Sequence, residues 1–233
     1  MSEPLPPPIW AHRIPAEREP VNETSIVDAA LELLDARGVD GLTMRAIAER
    51  IGVTTPTVYW HVHNKEGLLD RLYDRLCAEV RDPPADEPWD ERLRHLAHAI
   101  RSVLGTHRDA ARIAIGRFPL GPHGLRATET ALAALADAGL DDEEAAHAAY
   151  LLFGYVTSFC YQETIAPAPS ATGDRADALR HVGNYLQSLP AGRYPHLVRS
   201  AAALTQPGLD QRFAFGLDRL LRGLTSRHTD RHH

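Results

Sequence analysis

One short segment, residues 54–68 (TTPTVYWHVHNKEGL), concentrates hydrogen-bonding and aromatic side chains. It holds three threonines, two histidines and an asparagine together with Pro56, Tyr59 and Trp60. Lys65, which follows them, is the only lysine in the chain. Threonine hydroxyls can donate to or accept from base edges, and phenol, imidazole and ammonium groups can hold phosphates. This segment is therefore the first candidate for contact with nucleic acid.

Patterns that carry catalysis or hold metals do not occur in the sequence. We find no nucleophile elbow, no phosphate loop and no HExxH. The two cysteines, Cys77 and Cys160, match no metal-ligand spacing and predict a reduced, cytosolic protein. His61 and His63 stand two residues apart, which alone does not define a metal site. We predict that the chain is not an enzyme and has no cofactor and no metal.

Two short helices joined by a tight glycine turn are predicted around the candidate segment. Thr43 is a candidate N-cap of the first helix, and Gly52 ends it. Thr54 or Thr55 caps the second, with Pro56 in its first turn. Such a pair forms a helix-turn-helix, whose second helix can enter the major groove of B-DNA. The expected DNA contacts are Thr43, Arg45, Thr54, Thr55, Pro56, Thr57, Tyr59, Trp60, His61 and Lys65.

These expected contacts divide by what they would touch. The base-facing tip would be Thr55, Pro56 and Thr57, and the phosphate contacts would be Tyr59, His61 and Lys65. Arg45 can reach a phosphate or a guanine. We also expect Trp60 to lie partly in the core, because it borders Val58 and Val62.

The rest of the chain predicts an all-α protein in two parts. Residues 1–21 are rich in proline and of mixed charge, and are expected to form a flexible arm. Residues 22–80 form the helix-turn-helix domain with a linker helix. Residues 81–225 form a larger helical domain for ligand binding and dimerisation, with a loop expected at PAGRYPH, and residues 226–233 form a polar tail. The charge-free run 145–162 contains polar residues and predicts a buried helix, not a membrane span.

The charge of the chain neither supports nor excludes DNA binding. The formal net charge is −6, whereas generic nucleic-acid binders are basic. Only the docking face needs to be positive, however. Arg13 and Arg18 of the arm could enter a minor groove. Glu17 and Glu19 beside them favour plain disorder as the alternative reading of the arm.

Residues 24–80 resemble the DNA-binding domain of the tetracycline-repressor (TetR) family of transcription factors. The pattern is G-L-T-x-R-x-I-A followed by G-V-x-x-P-T-V-Y-W-H-V-x-N-K. The similarity continues in HRDAARIAIG and FAFGLDRLLRGL. The resemblance implies an all-α homodimer in which each subunit has a small DNA-binding head and a larger, ligand-holding domain. It implies dimerisation through the helices at 141–165 and 208–224, and hence a palindromic operator.

The sequence departs from tetracycline repressors at the ligand site. Those proteins hold a metal–drug chelate with a histidine, a glutamate and two carboxamides. Alignment on the HRD tripeptide at 107–109 places Ala114 at the histidine position, and places Cys160, Leu96 and Ala131 near the others. None of these side chains is an oxygen ligand for a hard cation, so we expect no magnesium–tetracycline site.

We expect a more apolar pocket in its place. The candidate lining residues are Leu96, Ile100, Ala114, Phe118, Phe159 and Cys160, with Arg117 or Gln162 orienting a polar end. For each of them, simple core packing is the alternative reading.

The sequence thus predicts a ligand-responsive repressor in the cytoplasm. Its partners would be double-stranded DNA with a palindromic operator, a small and largely apolar effector, and a second copy of the chain, without a membrane. Three alternatives stay open: a constitutive or architectural DNA-binding dimer, an activator, or a helical ligand-binding protein or enzyme that has lost DNA binding.

Overall fold

The computed structural model describes residues 21–165, 175–205 and 208–225, which are helical and contain no strand. The helices are α1 (Glu23–Arg37), α2 (Met44–Ile51), α3 (Thr55–Val62), α4 (Lys65–Cys77), α5 (Trp89–Thr106), α6 (Ala110–Ala114), α7 (Pro122–Asp137), α8 (Asp142–Ile165), α9 (Arg175–Ser188), α10 (Pro195–Thr205) and α11 (Leu209–Thr225). The predicted all-α class is confirmed. The predicted arm, apart from Val21, and the predicted tail lie outside the described residues.

Helices α1–α3 form a small bundle whose first helix begins at a local cap. Asn22 Oδ1 accepts from the backbone N–H of Ser25 at 2.8 Å, and the Ser25 hydroxyl accepts from the Asn22 N–H at 3.2 Å. This reciprocal pair satisfies N–H groups that a helix start leaves without partners. The inward faces of the bundle carry fully buried aliphatic side chains: Ile26, Ala30, Leu34, Ile47, Val58 and Val62.

Helix α4 belongs to two packing units at once. Leu68, Leu72 and Leu76, spaced by four residues, are buried. The helix packs against α1 and α3 of the small bundle and against α5, α6 and α7 of the rest of the chain. Because one rigid element is shared, a displacement of α4 must change the packing of both units.

The larger unit is built around α5, α7 and α8, which pack against one another, while α11 packs on α8. Helix α8 spans the predicted residues but is buried on one face only in the single chain. That face carries Ala145, Ala148, Ala149, Leu152, Val156 and Cys160. None of the helices in the described ranges is long and apolar enough to cross a bilayer.

Helices α9 and α10 pack mainly on each other. The loop expected at PAGRYPH is shorter than predicted, since α10 begins at Pro195. Proline is tolerated there because the N–H of the first helical turn has no intrahelical partner.

Candidate DNA interface and effector cavity

Helix α3 presents one exposed face that is not needed for packing. Pro56, Tyr59 and Trp60 follow the spacing of one helix face, and all three are exposed. The tight turn before α3 relies on Gly52, whose φ of 73° and ψ of 36° lie in the left-handed region that glycine adopts without strain. The helix therefore stands on the surface with its aromatic face outward.

The expectation that Trp60 lies partly in the core is wrong. Its side chain is 76% exposed, although its neighbours Val58 and Val62 are fully buried. A residue two positions away on an α-helix is rotated by about 200°, so Trp60 lies opposite both valines. Its ring meets His61 edge-on, with centroids 4.7 Å apart. A large aromatic ring exposed in this way is typical of a contact surface.

The other residues expected to contact DNA lie around the start of α3. The hydroxyls of Thr54 and Thr57 are hydrogen-bonded at 2.9 Å, which orders the tip of the helix. Thr43 Oγ1 caps α2 by accepting from the Ala46 N–H at 3.1 Å. Arg45 Nε donates to Glu49 at 2.8 Å on the surface. Because exposed ion pairs are weak, this guanidinium can turn to another anion at little cost.

The end of α3 leads directly to Lys65. His63 has a φ of 61°, and Asn64 Oδ1 then caps α4 by accepting from the Gly67 N–H at 2.7 Å. This sharp junction places the exposed Lys65 at the first position of α4. Since α3 itself carries no acidic side chain, nothing on this helix repels a phosphate backbone.

A narrow cavity lies between α4, α5, α7 and α8 and has a free volume of about 30 Å³. Its wall is apolar except for the hydroxyls of Tyr73, Thr128 and Thr157 and the thiol of Cys77. Burial, with a smaller contribution from the charge of Asp74, raises the pKa of the Cys77 thiol to about 12. A space of this size holds about one water molecule. A larger molecule can enter only if the surrounding helices move apart.

The structure does not bring the eight expected ligand residues together. Only Ile100 lines this cavity. Leu96 and Ala114 are buried in the core, Phe118 and Gln162 are exposed, Arg117 is ion-paired with α4, Cys160 borders a separate open cleft, and Phe159 packs against Phe213. The wall residues that sequence reasoning missed include Tyr73, Leu76 and Cys77 of α4 and Val80, which follows this helix. Their helical spacing was visible in the sequence, but their neighbours were not.

A polar cluster joins the small bundle to the larger unit. His107 lies between Asp35 of α1 and Glu79, with Nδ1 to Oδ2 and Nε2 to Oε2 distances of 3.0 Å each. Asp109 Oδ2 accepts from the Val39 N–H at 2.9 Å. The HRD tripeptide therefore fixes the end of α1 and the turn that follows it.

The His107 contacts predict a pH-dependent stability. Burial lowers the pKa of His107, but its hydrogen bonds to the carboxylates of Glu79 and Asp35, together with their negative charges, outweigh this effect, so the pKa is raised. A group whose pKa is higher in the folded state makes its full contribution to the free energy of unfolding below its unfolded pKa, which for histidine is about 6.5. This contribution is lost as the pH rises through the folded pKa. Chemical denaturation between pH 6 and 9 should show this loss in wild type, and a smaller one in His107→Asn. Equal pH slopes in both proteins would contradict it.

The fold and the α3 surface define a helix-turn-helix protein with a larger helical domain. Two family models match this chain: "Bacterial regulatory proteins, tetR family" over residues 26–72 and "Tetracyclin repressor-like, C-terminal domain" over residues 82–228. The chain belongs to the TetR family, whose members are DNA-binding transcriptional regulators and not enzymes.

Relatives and solved structures agree with this assignment. The class A tetracycline repressor of Escherichia coli is 33% identical over 206 residues, which are 87% of this chain and 90% of that protein. The class D repressor of the same organism is 44% identical over 102 residues, so the match spans 47% of its length. Apo ActR from Streptomyces coelicolor is 35% identical, with a TM-score of 0.81 over 89% of this chain and 96% of ActR.

Proposed function

We propose that the chain is a ligand-responsive transcriptional repressor that binds a palindromic operator as a homodimer in the cytoplasm. The observation that carries this proposal is the exposed face of α3, with Tyr59 and Trp60 outward and Lys65 beside it. A recognition helix needs such an outward face, and a two-fold dimer presents two of them to two half-sites.

The outer face of α8 supports the homodimer. Tyr150 is 71% exposed and Leu151 56% exposed in the single chain, and Gly154 and Ser158 continue the same face. Phe215 of the neighbouring α11 is exposed as well. An apolar surface made of two helices is typical of a subunit interface, and these are the two helices expected from the sequence.

The cavity supports an effector that is largely apolar and carries hydrogen-bonding groups. Among the described residues no charged side chain lines it, and its hydroxyls can orient a ligand without a charge. The phenol of Tyr73 is mostly buried, and burial raises its pKa, so it meets an effector as a neutral hydrogen-bond donor. The similar protein ActR has been solved in complex with actinorhodin, which shows that a relative holds a small molecule.

Helix α4 would carry the signal from the cavity to the DNA. It supplies Tyr73, Leu76 and Cys77 to the wall, and it begins immediately after α3. An effector that widens the cavity by displacing α4 would also shift the recognition helix. The effector can favour the DNA-free arrangement only by its difference in affinity for the two arrangements.

A mobility-shift assay with purified protein and the DNA flanking its own gene, at stated salt, tests the proposal. We expect a specific shift, followed by release when a compound that raises the melting temperature is added. Specific binding that no thermally stabilising compound releases would favour the constitutive or architectural alternative. A folded dimer that binds none of this DNA more tightly than random DNA would contradict the proposal.

Magnesium is expected to leave tetracycline binding unchanged. Ala114, at the position where tetracycline repressors are expected to carry a metal-binding histidine, is a buried apolar residue. Within the described ranges, no group of three histidine, cysteine or acidic side chains is placed to hold a metal. Titration calorimetry with tetracycline, with and without millimolar Mg²⁺, checks this expectation. A tenfold or greater tightening by Mg²⁺ would show that a chelate site exists.

A further inference from the structure

An acidic stripe on α4, formed by Glu66, Asp70 and Asp74, bonds to Arg117 after α6 and to the first turn of α7. The three residues recur every fourth position and so share one face of α4. Arg117 contacts both Glu66, at 2.5 Å, and Asp70. Asp74 makes a different contact, because its Oδ1 accepts from two backbone N–H groups, those of His123 at 3.0 Å and Gly124 at 2.9 Å.

Asp74 therefore caps the start of α7 from another helix. The residue at the N-cap of α7 is Gly121, which has no side chain to bond the first N–H groups. The carboxylate of Asp74 takes this role across 49 positions of sequence. Its negative charge also interacts favourably with the positive, N-terminal end of the α7 helix dipole.

This cap spans two walls of the effector cavity. Tyr73 and Cys77, which flank Asp74 on α4, line one wall, and Gly124 and Thr128 of α7 line the opposite one. The capped N–H of Gly124 thus belongs to a wall residue. Separating α4 from α7 to admit a ligand must break both hydrogen bonds of Asp74.

We propose that Asp74 is a positioning residue that holds the cavity closed and so sets how readily an effector can release the protein from DNA. The inference rests on the proposed function, because it assigns the closed cavity to the DNA-binding arrangement. Loss of the cap favours the open arrangement, so a ligand needs less of its binding energy to open the cavity.

Gly121 allows the close approach on which this cap depends. A Cβ at this position would overlap the carboxylate and Cβ of Asp74. The φ of −77° and ψ of 167° at Gly121 are allowed for any residue, so alanine here displaces Asp74 without straining the backbone. Gly121→Ala is therefore a second way to break the cap that retains the charge of Asp74.

Cys77 reports the opening without any effector or operator. In a Cys160→Ala background it is the only thiol of the chain, and it lies in the cavity wall. We expect Asp74→Ala and Gly121→Ala each to raise its rate of alkylation by iodoacetamide about 5- to 10-fold, in line with the loss of a helix cap. Loss of the Asp74 charge alone would also raise the rate by a constant factor from pH 7 to 9, because the pKa of Cys77 is about 12. Gly121→Ala is therefore the deciding variant, since it breaks the cap and retains that charge. A gain in Asp74→Ala without a gain in Gly121→Ala would mean only that the Cys77 pKa had changed, and would overturn the proposal.

Asp141→Ala is the matched control. Asp141 Oδ1 caps α8 within its own turn by accepting from the Glu144 N–H at 2.9 Å, so this variant loses a similar cap that joins no second helix. It should lose similar stability and leave the Cys77 rate unchanged. The proposal is overturned if the Cys77 rate in Asp74→Ala and Gly121→Ala equals that of the background protein, or if Asp141→Ala raises it equally.

The thiol alkylation test and the mobility-shift test of the proposed function can fail independently of each other. If the mobility shift fails, the thiol rates still decide whether Asp74 closes the cavity. If operator binding is found, adding operator should return the Cys77 rate of Asp74→Ala towards that of the background protein. A rate that saturating operator does not lower would contradict the link between closure and DNA binding.

Discussion

Replacing Tyr59 or Trp60 by alanine should lower operator affinity roughly 5- to 150-fold, a loss of about 1–3 kcal/mol for each ring. The same substitutions should change the free energy of unfolding by less than about 0.5 kcal/mol, because both side chains stand outside the core. Fluorescence anisotropy with labelled operator measures the first quantity, and urea denaturation measures the second. Loss of binding without loss of stability is the result expected of a contact surface.

Tyr185→Ala provides the control for this experiment. Tyr185 lies on α9 and is 65% exposed, which is comparable with the two rings on α3. Its removal should leave operator affinity unchanged. If Tyr59→Ala and Trp60→Ala also left it unchanged, the DNA surface would have to lie elsewhere on the molecule.

The helices of the small bundle could be predicted because their signals are local. Thr43 acts as the N-cap expected of it, and Gly52 ends α2 in the left-handed conformation. Each of these depends on a hydrogen bond or backbone angle within a few residues of the signal. The same locality explains the outward face of α3, and counting rotation along the helix would have corrected the error at Trp60.

The cavity could not be predicted in the same way, because it depends on which helices meet. The spacing of Tyr73, Leu76 and Cys77 shows that they share a face of α4, but not that this face meets α5, α7 and α8. Periodicity gives the buried side of a helix and leaves its neighbour unknown. The cap from Asp74 to the start of α7 is hidden for the same reason, since no local pattern joins them.

The ligand positions obtained by alignment on the HRD tripeptide do not line this cavity, and the reason is related. Ala114 and Cys160 are the positions that the alignment gives for a metal–drug site, and in this chain both are buried. A site without metal-binding groups does not require its ligand to occupy the same part of the domain. The α4 wall is then the more informative guide to the effector.

Leu151→Arg on α8 should convert the proposed homodimer into a folded monomer. Leu151 is 56% exposed in the single chain, so arginine there leaves the fold of one subunit intact. At a two-fold interface the substitution places a cation in an apolar contact on both subunits, at a cost of several kcal/mol in total. The dimer dissociation constant should rise roughly a thousandfold or more. Sedimentation velocity at micromolar concentration measures this change, and circular dichroism verifies that the subunit stays helical.

Operator affinity should fall when the dimer dissociates. The two recognition helices then bind their half-sites as separate molecules, without the increase in affinity that comes from being held together in one dimer. Val182→Arg on α9 is the matched control, since Val182 is 50% exposed and α9 packs mainly on α10. It should remain dimeric and bind operator normally. A Leu151→Arg protein that stays dimeric would contradict an interface on α8, and dissociation by Val182→Arg alone would move the interface to α9. Only a monomeric Leu151→Arg beside a dimeric Val182→Arg agrees with two α3 helices that bind one palindrome through an α8 contact.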